Sequence, residues 1–206
     1  MSDPRAQAIL DFWFGPDYPA AAPEDIAARQ SRLWFGKDAA VDADIAARFE
    51  ALLQDAAGNR LDDWTESAPT LLALVILLDQ FPRNIYRDTP RAFAFDELAR
   101  QCCQLLLATG LDQELPAIAR LFAYLPLEHA EDIDDQHYAV ELIGTLARTH
   151  QANDAQRQAF GGFAEYARRH RDVIAQFGRF PHRNAILGRT SSAEELAFLR
   201  QPGSSF

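Results

Sequence analysis

Apolar side chains recur every three to four positions along most of this chain, which is the spacing of one face of an α-helix. The pattern covers residues 4–14, 23–35 and 38–57, and proline at a helix start or glycine just after a helix end marks its limits, as at Pro23 and Gly36. No run of alternating β-branched residues is bounded by hairpin turns. The first part of the chain therefore predicts helices and no sheet.

The most apolar segment is 70–78, which has no polar face. A helix of this kind is buried on all sides, so we predict that it is the central helix of the fold. Ser67 is placed to cap its start. We expect the helix to end within 79–82, because Pro82 cannot continue the helical hydrogen-bond ladder.

Further helices are predicted through the second half of the chain. Gly161-Gly162 indicates close packing or a kink within the longest of them, and Ser191 with Glu194 forms a predicted capping box for the last. The predicted ranges are 89–107, closed by Gly110; 116–124, stopped by Pro126; 132–149; 153–177, interrupted by the glycine pair; and a short helix ending at Arg200. The whole pattern predicts a single all-α domain over residues 1–206, an α-α superhelical array of eight to nine helices.

The composition indicates a folded domain and argues against two classes of partner. Of 206 residues, 48% are hydrophobic, which is enough to form a core. Non-specific binding to nucleic acid and binding to an anionic membrane surface both need a positively charged surface, whereas the formal net charge here is −10. We therefore predict neither a nucleic-acid partner nor a membrane partner.

Several features predict a cytoplasmic protein without a cofactor. No basic segment followed by an apolar run opens the chain, and the stretch 70–78 is far shorter than the roughly 20 residues of a membrane helix. Cys102 and Cys103 are adjacent, a spacing that suits neither a structural disulfide nor a zinc site. Because the chain also lacks a phosphate loop, a dinucleotide fingerprint and a nucleophile elbow, we predict no cofactor and no metal.

Two segments carry similar clusters of hydrogen-bond donors and acceptors. The first follows the central helix and contains Asp79, Gln80, Arg83 and Asn84. Arg83 is either a bidentate ligand for an anion or a residue that seals the helix end by pairing with an acid such as Asp79.

The second segment contains Arg179, His182, Arg183 and Asn184. Such a dense set of donors can hold a carboxylate or a phosphate. Alternatively, it bridges to the acidic stretch 111–141, whose net charge is −7. Because both segments follow long helices and carry matching residues, we expect them to lie side by side.

A third candidate is the Glu128-His129 pair. A carboxylate near a histidine can tune the imidazole for acid–base chemistry. Adjacent residues on a helix do not face each other, however, so Glu128 and the acids that follow it, Glu131 and Asp132, can instead stabilise the start of the next helix.

These segments resemble those of one bacterial family, number 924 among domains of unknown function. The resemblance is carried by 77–84, 124–132 and 178–189, together with 11–15 and 33–35, and it spans nearly the whole chain. It implies a tetratricopeptide-like helical fold and the outline of a site, but no reaction. One departure is Ala130, where serine is usual in the family, which argues against a role for a hydroxyl group there.

We therefore expect a binding module that holds a small anionic ligand or an acidic peptide in a groove lined by arginine, histidine and asparagine. The residues expected to bind the ligand are Asp79, Gln80, Arg83, Asn84, Glu128, His129, Arg179, His182, Arg183 and Asn184. The ligand itself and the oligomeric state stay open.

Two other interpretations compete with ligand binding. The first is an enzyme acting on a small anionic metabolite, with His129 or His182 as acid or base and Asp79 or Glu128 as its partner. The second is purely structural, with the polar clusters forming buried networks. A closed, packed network favours the structural interpretation, whereas an open cleft favours binding or catalysis.

Overall fold

The computed structural model describes residues 3–204, which form helices and turns without a strand. The all-α prediction is therefore confirmed. The α-helical segments are α1 (Pro4–Phe14), α2 (Pro23–Phe35), α3 (Ala39–Ala57), α4 (Ala68–Val75), α5 (Phe81–Ile85), α6 (Asp96–Thr109), α7 (Ala117–Glu128), α8 (Ile133–Thr149), α9 (Asp154–Phe177) and α10 (Ala193–Phe198). Because α4 and α5 are continuous, the described residues contain 9 separate helices, in agreement with the sequence. A tetratricopeptide-like superhelix is compatible with this array and stays a prediction, as does the single domain.

The central helix is α4, as predicted. Every residue from Leu71 to Gln80 is buried, because α1, α6 and α7 pack around this part of the chain. Aromatic side chains fill the space between these helices: the ring of Trp13 lies 5.7 Å from that of Phe81 and 5.5 Å from that of Phe122, edge-on in both cases. The core therefore surrounds α4 and fixes the position of the polar residues that follow it.

The central helix does not end at Pro82, which corrects the prediction. Ile76–Gln80 form a π-turn in which the Phe81 N–H donates to the carbonyl of Ile76, and the chain continues into α5. The wider turn accommodates a proline ring that would collide with the carbonyl four residues earlier in a regular α-helix. Residues 79–84 therefore lie on a helix and not in a loop.

Two further helix boundaries differ from the predicted ones. Pro126 does not stop α7, which runs to Glu128 with the proline buried in its last turn. Pro90–Phe93 form a separate 3-10 turn, and the helix proper begins at Asp96. In both places packing against the core outweighs the local proline signal, which is a weak guide where tertiary contacts are dense.

The predicted capping box of the last helix is displaced by one residue. The Ser192 hydroxyl accepts from the backbone of Glu195, whose side chain accepts from the backbone of Ser192. Ser191, which was the predicted cap, lies instead 3.0 Å from the Nδ2 of Asn184 and accepts its proton. The tertiary contact of Ser191 thus decides which serine caps α10.

The longest helix, α9, runs without a break past Gly161-Gly162, so the predicted interruption is wrong. A Cβ atom added to either glycine would meet no atom within 4 Å. Neither glycine therefore serves close packing, and neither adopts a positive φ. Both leave open space above the helix, on the floors of the two cavities described below.

Replacing Gly161 or Gly162 with alanine should raise the free energy of unfolding by about 0.5–1 kcal/mol each, because glycine in a helix interior costs that much relative to alanine. Urea unfolding of the two variants measures the gain. Gly178→Ala is the matched control and should destabilise the protein, since Gly178 ends the same helix at φ +67°. A loss of stability for Gly161→Ala would show that its added methyl group meets a neighbour after all.

No helix within residues 3–204 has the length and apolarity needed to cross a membrane. Cys102 and Cys103 lie on α6 as free thiols. Burial raises the pKa of Cys102 to about 11 and also raises that of Cys103. Neither cysteine is therefore a reactive thiolate at neutral pH.

Candidate functional site

Two arginines from distant parts of the chain share one carboxylate. Arg83 on α5 donates to both oxygens of Asp96, at 2.9 and 3.1 Å, and Arg183 donates to Asp96 Oδ2 at 3.3 Å. Asp96 is the first residue of α6, where the positive end of the helix dipole also favours a carboxylate. These contacts confirm that the segments 79–84 and 179–184 lie side by side.

Asp79 lies completely buried beside this carboxylate and pairs with His129. The Nδ1 atom of His129 lies 2.8 and 3.0 Å from the two oxygens of Asp79, and Arg83 Nη1 lies 3.4 Å from one of them. Burial raises the pKa of Asp79, but His129 and Arg83 outweigh it and hold the pKa below its ordinary value. Burial lowers the pKa of His129. Because an ionised carboxylate only accepts hydrogen bonds, Nδ1 of His129 donates to Asp79.

Arg183 is 6% exposed and is held from several sides. Besides Asp96, its guanidinium donates to the backbone carbonyl of His129 at 3.0 Å. The rings of Phe93 and Phe180 each lie with their centres 4.6 Å from the guanidinium carbon, a cation–π geometry. Burial and the charge of Arg83 lower the pKa of Arg183 to about 10, so the group stays charged at neutral pH. We call Asp79, Arg83, Asp96, His129 and Arg183 the Asp96 network.

The other predicted site residues have partners of their own. Gln80 donates to Asp79 at 2.5 Å and so joins the Asp96 network. Asn84 donates to Asp42, and Asn184 is hydrogen-bonded to Ser191. Arg179 forms a bidentate pair with Glu195, and the ring of His182 lies 5.6 Å from that of Phe180, where burial lowers the histidine pKa to about 4. The structure therefore gathers only part of the predicted set into one cluster.

The charges of the Asp96 network balance. Two arginines face two carboxylates: Asp96 contacts both guanidinium groups, and Asp79 contacts that of Arg83. A buried pair of this kind is not readily exchanged for a ligand, because opening it leaves an uncompensated charge inside the protein. This arrangement supports the structural interpretation of Arg83 and Arg183, and a ligand-binding role for the predicted residues stays a prediction.

Glu128 has a different environment from its neighbour His129. Its side chain is buried, and its Oε1 lies 3.2 Å from Nδ1 of His170, while no arginine or lysine of residues 3–204 pairs with it. The Nδ1 of His170 also lies 2.9 Å from the carbonyl of Tyr166. Burial, together with the charge of Asp79, raises the pKa of Glu128 to about 8, and burial lowers that of His170 to about 3. Both groups are therefore neutral at neutral pH.

Glu128 lies in the wall of a cavity of about 570 Å³ between α2, α7 and α9, which we call the Glu128 groove. The lining is mainly apolar and contains no basic residue. Its members are Glu24, Ala27, Ala28, Ser31, Phe35, Leu121, Leu125, Glu128, Ala155, Gln158, Ala159, Gly162, Phe163 and Tyr166. Phe35 is 62% exposed at this surface, although it is a large apolar side chain.

A second cavity of about 240 Å³, the α8–α9 cleft, opens between those two helices. Small residues form its floor and three arginines surround it. Its members are Gly144, Ala147, Arg148, Gln151, Arg157, Gly161, Ala164 and Arg168. The two adjacent glycines of α9 thus line different cavities, Gly161 the cleft and Gly162 the groove.

Among the lining residues of the two cavities, only Glu128 belongs to the set predicted from the sequence. Small apolar residues such as Ala155, Ala159 and Gly162 carry no chemical signal, and only their spacing on one face of α9 could have indicated a groove. Within the described residues, no three His, Cys, Asp or Glu side chains are close enough together to hold a metal ion.

The chain is similar to one family of proteins and to one solved structure. A family model described as "Bacterial protein of unknown function (DUF924)" matches residues 9–203. The solved structure of a protein of unknown function, ATU0120 from Agrobacterium tumefaciens, is 40% identical and similar with a TM-score of 0.77 over 95% of this chain and 96% of that one. No curated protein matches. The matches confirm the resemblance seen in the sequence, and neither assigns an activity.

Proposed function

This chain belongs to that bacterial family of unknown function, and we propose that it binds a small molecule in the Glu128 groove. The observation that carries the proposal is a buried carboxyl group in the wall of an apolar cavity of about 570 Å³, where it contacts His170 but no arginine or lysine of residues 3–204. Small-molecule sites are typically concave and apolar, with a few polar groups that orient the ligand. Glu128 supplies such a group.

The chemistry of the groove limits the class of ligand. Its acidic lining residues are Glu24 and Glu128, and no lining residue is basic, so the groove suits neutral molecules and amines and disfavours anions. A protonated Glu128 donates a hydrogen bond to a carbonyl or hydroxyl, and an ionised Glu128 pairs with an ammonium group. The ligand is therefore a largely apolar molecule with a neutral or amine head group. The anionic ligand or acidic peptide predicted from the sequence requires a more basic surface than this one.

The test is a thermal-shift screen of neutral and amine-bearing apolar compounds against the wild type, Gly162→Leu and Gly161→Leu. A ligand present at about 100 times its Kd adds about 2.7 kcal/mol, which raises the Tm of a chain of this size by roughly 5–10 °C. Gly162→Leu fills the groove and should abolish these shifts. Gly161→Leu adds the same side chain to the same helix but points into the other cavity, so the shifts should persist.

The Glu128→Gln variant tests the role of the carboxyl group. Glutamine keeps a donor and an acceptor but cannot ionise, so compounds that bind through a neutral hydrogen bond should still shift its Tm. Amines should lose their effect. Compounds that stabilise the wild type and Gly162→Leu equally would refute a site in this groove.

Catalysis is a second candidate, favoured by the Asp79–His129 pair. A carboxylate that accepts the Nδ1 proton of a histidine leaves Nε2 as a base, which is the arrangement of many acid–base sites. The side chain of His129 is 16% exposed. Mass spectrometry of the same compounds should show conversion by the wild type and none by His129→Asn, in which the amide retains a donor for Asp79. Equal turnover by the wild type and His129→Asn would show that His129 is not the base.

The proposal places this function in the cytoplasm. Free thiols such as Cys102 and Cys103 are typical of a reducing compartment. Localisation of the tagged full chain by cell fractionation tests this part.

A further inference from the structure

We propose that the α8–α9 cleft is an anion site that takes a phosphate-bearing small molecule, separate from the Glu128 groove. The cleft has three arginines in its lining, Arg148, Arg157 and Arg168, and no acidic residue. Arginine side chains are therefore concentrated at this cleft in a protein whose formal net charge is −10. Anion binding needs such a local concentration of positive charge, because the overall field of the molecule repels anions.

The three guanidinium groups are available to a ligand. Within the described residues Arg148 has no acidic partner, and its Nη2 donates only to the Thr145 hydroxyl, at 2.8 Å. Arg157 pairs with Asp154 and donates to the Gln151 carbonyl at 3.0 Å, and Arg168 pairs with Glu165; the side chains of Asp154 and Glu165 are 96% and 62% exposed. Exposed ion pairs are weak, so both arginines can turn to a ligand at little cost.

The contrast with the Asp96 network supports this assignment. There the arginines are buried or half-buried, as are the carboxylates that hold them, whereas here they surround open space. A planar guanidinium binds two oxygens of one anion at once. Three of them around a cavity of about 240 Å³ suit a group with several acceptor oxygens, and a phosphate or diphosphate has that chemistry.

The floor of the cleft leaves room for the ligand. Gly161 sits on α9 with no atom within 4 Å of the position its Cβ would take, so the space above it is open. A mid-helix glycine lowers helix stability, and this one serves neither packing nor a turn. Its absent side chain is what allows a ligand to approach the backbone of α9.

Inorganic pyrophosphate is the probe, and isothermal titration calorimetry at low ionic strength is the measurement, with the full chain. We expect saturable binding by the wild type that weakens about tenfold in Arg148→Ala and in Arg168→Ala, the change caused by losing one hydrogen bond between charged groups. Gly161→Leu should abolish binding. Added salt should weaken it, because the arginines are exposed to solvent.

Two matched variants make the experiment specific. Arg171→Ala removes an arginine of the same helix that pairs with Asp172 and does not line the cleft, so pyrophosphate affinity should be unchanged. Gly162→Leu should bind pyrophosphate like the wild type. The assignment is overturned if the wild type binds no pyrophosphate, if Arg171→Ala weakens binding as much as Arg168→Ala, or if Gly161→Leu binds normally. Gly161→Leu blocks only the cleft and Gly162→Leu blocks only the Glu128 groove. The proposal for one cavity can therefore be refuted without refuting the proposal for the other.

Discussion

The Glu128→Gln variant should gain stability over the wild type as the pH rises from about 5 to about 9, by about 3–5 kcal/mol in total. The pKa of Glu128 is raised from its ordinary value of 4.5 to about 8 in the folded protein, because the carboxyl group is buried. Between these two values the folded state holds a proton that the unfolded state has released. The wild type therefore loses stability across this window, and the loss is complete above pH 8.

Glutamine does not titrate, so the Glu128→Gln variant does not lose stability in this way as the pH rises. The measurement is urea unfolding of both proteins at several pH values. Glu131→Gln is the control: Glu131 pairs with Arg189, and its pKa is lowered, so its stabilising effect is lost as the pH falls and no gain should develop toward high pH. A difference between Glu128→Gln and the wild type that stays constant with pH would mean that Glu128 is ionised throughout.

The Arg183→Ala variant should lose about 3–5 kcal/mol of unfolding free energy, because it breaks a buried ion pair and leaves one carboxylate partly uncompensated. Asp96 would keep Arg83 but lose its second guanidinium, and the His129 carbonyl would lose its donor. The rings of Phe93 and Phe180 would also lose the cation between them. Arg183→Lys should recover only part of the loss, since an ammonium group cannot reach both acceptors as a planar fork does.

Urea unfolding at neutral pH measures the loss of unfolding free energy in the two Arg183 variants. Arg171→Ala, which removes an arginine from an exposed pair with Asp172, should change stability by less than about 0.5 kcal/mol. A similarly small effect of Arg183→Ala would show that Arg183 is not part of a structural network. The ligand-binding role predicted from the sequence would then be the better explanation for this residue.

Most of the helices could be predicted from the sequence because their apolar faces and their caps agree. The starts and ends of α1 and α2 follow from Pro4 and Pro23 and from the glycines that come after Phe14 and Phe35. The exceptions are places where the two signals disagree. Pro82 and Pro126 indicate helix ends, yet both lie in helices whose buried residues pack into the core, and that packing decides the outcome.

The candidate site could be predicted only in part. The pairing of Asp79 with His129 involves residues that both carry recognisable chemistry, and both were candidates. Asp96 had no such signal, because it is one acid in a polar helix start and its two arginines come from other parts of the chain. The cavities could not be predicted from the sequence for a related reason. Their walls come from two or three helices, and no local sequence pattern indicates how those helices pack.

The pair between Arg183 and Asp96 joins residues 87 positions apart in the chain. A contact of such range cannot form until Arg183 itself has left the ribosome, and closing so long a loop is entropically costly before the rest of the fold is in place. Until then Asp96 can accept hydrogen bonds only from Arg83 or from water. Completion of the fold therefore depends on the segment that carries Arg183, and a nascent or truncated chain that stops before residue 180 lacks the second cation of Asp96.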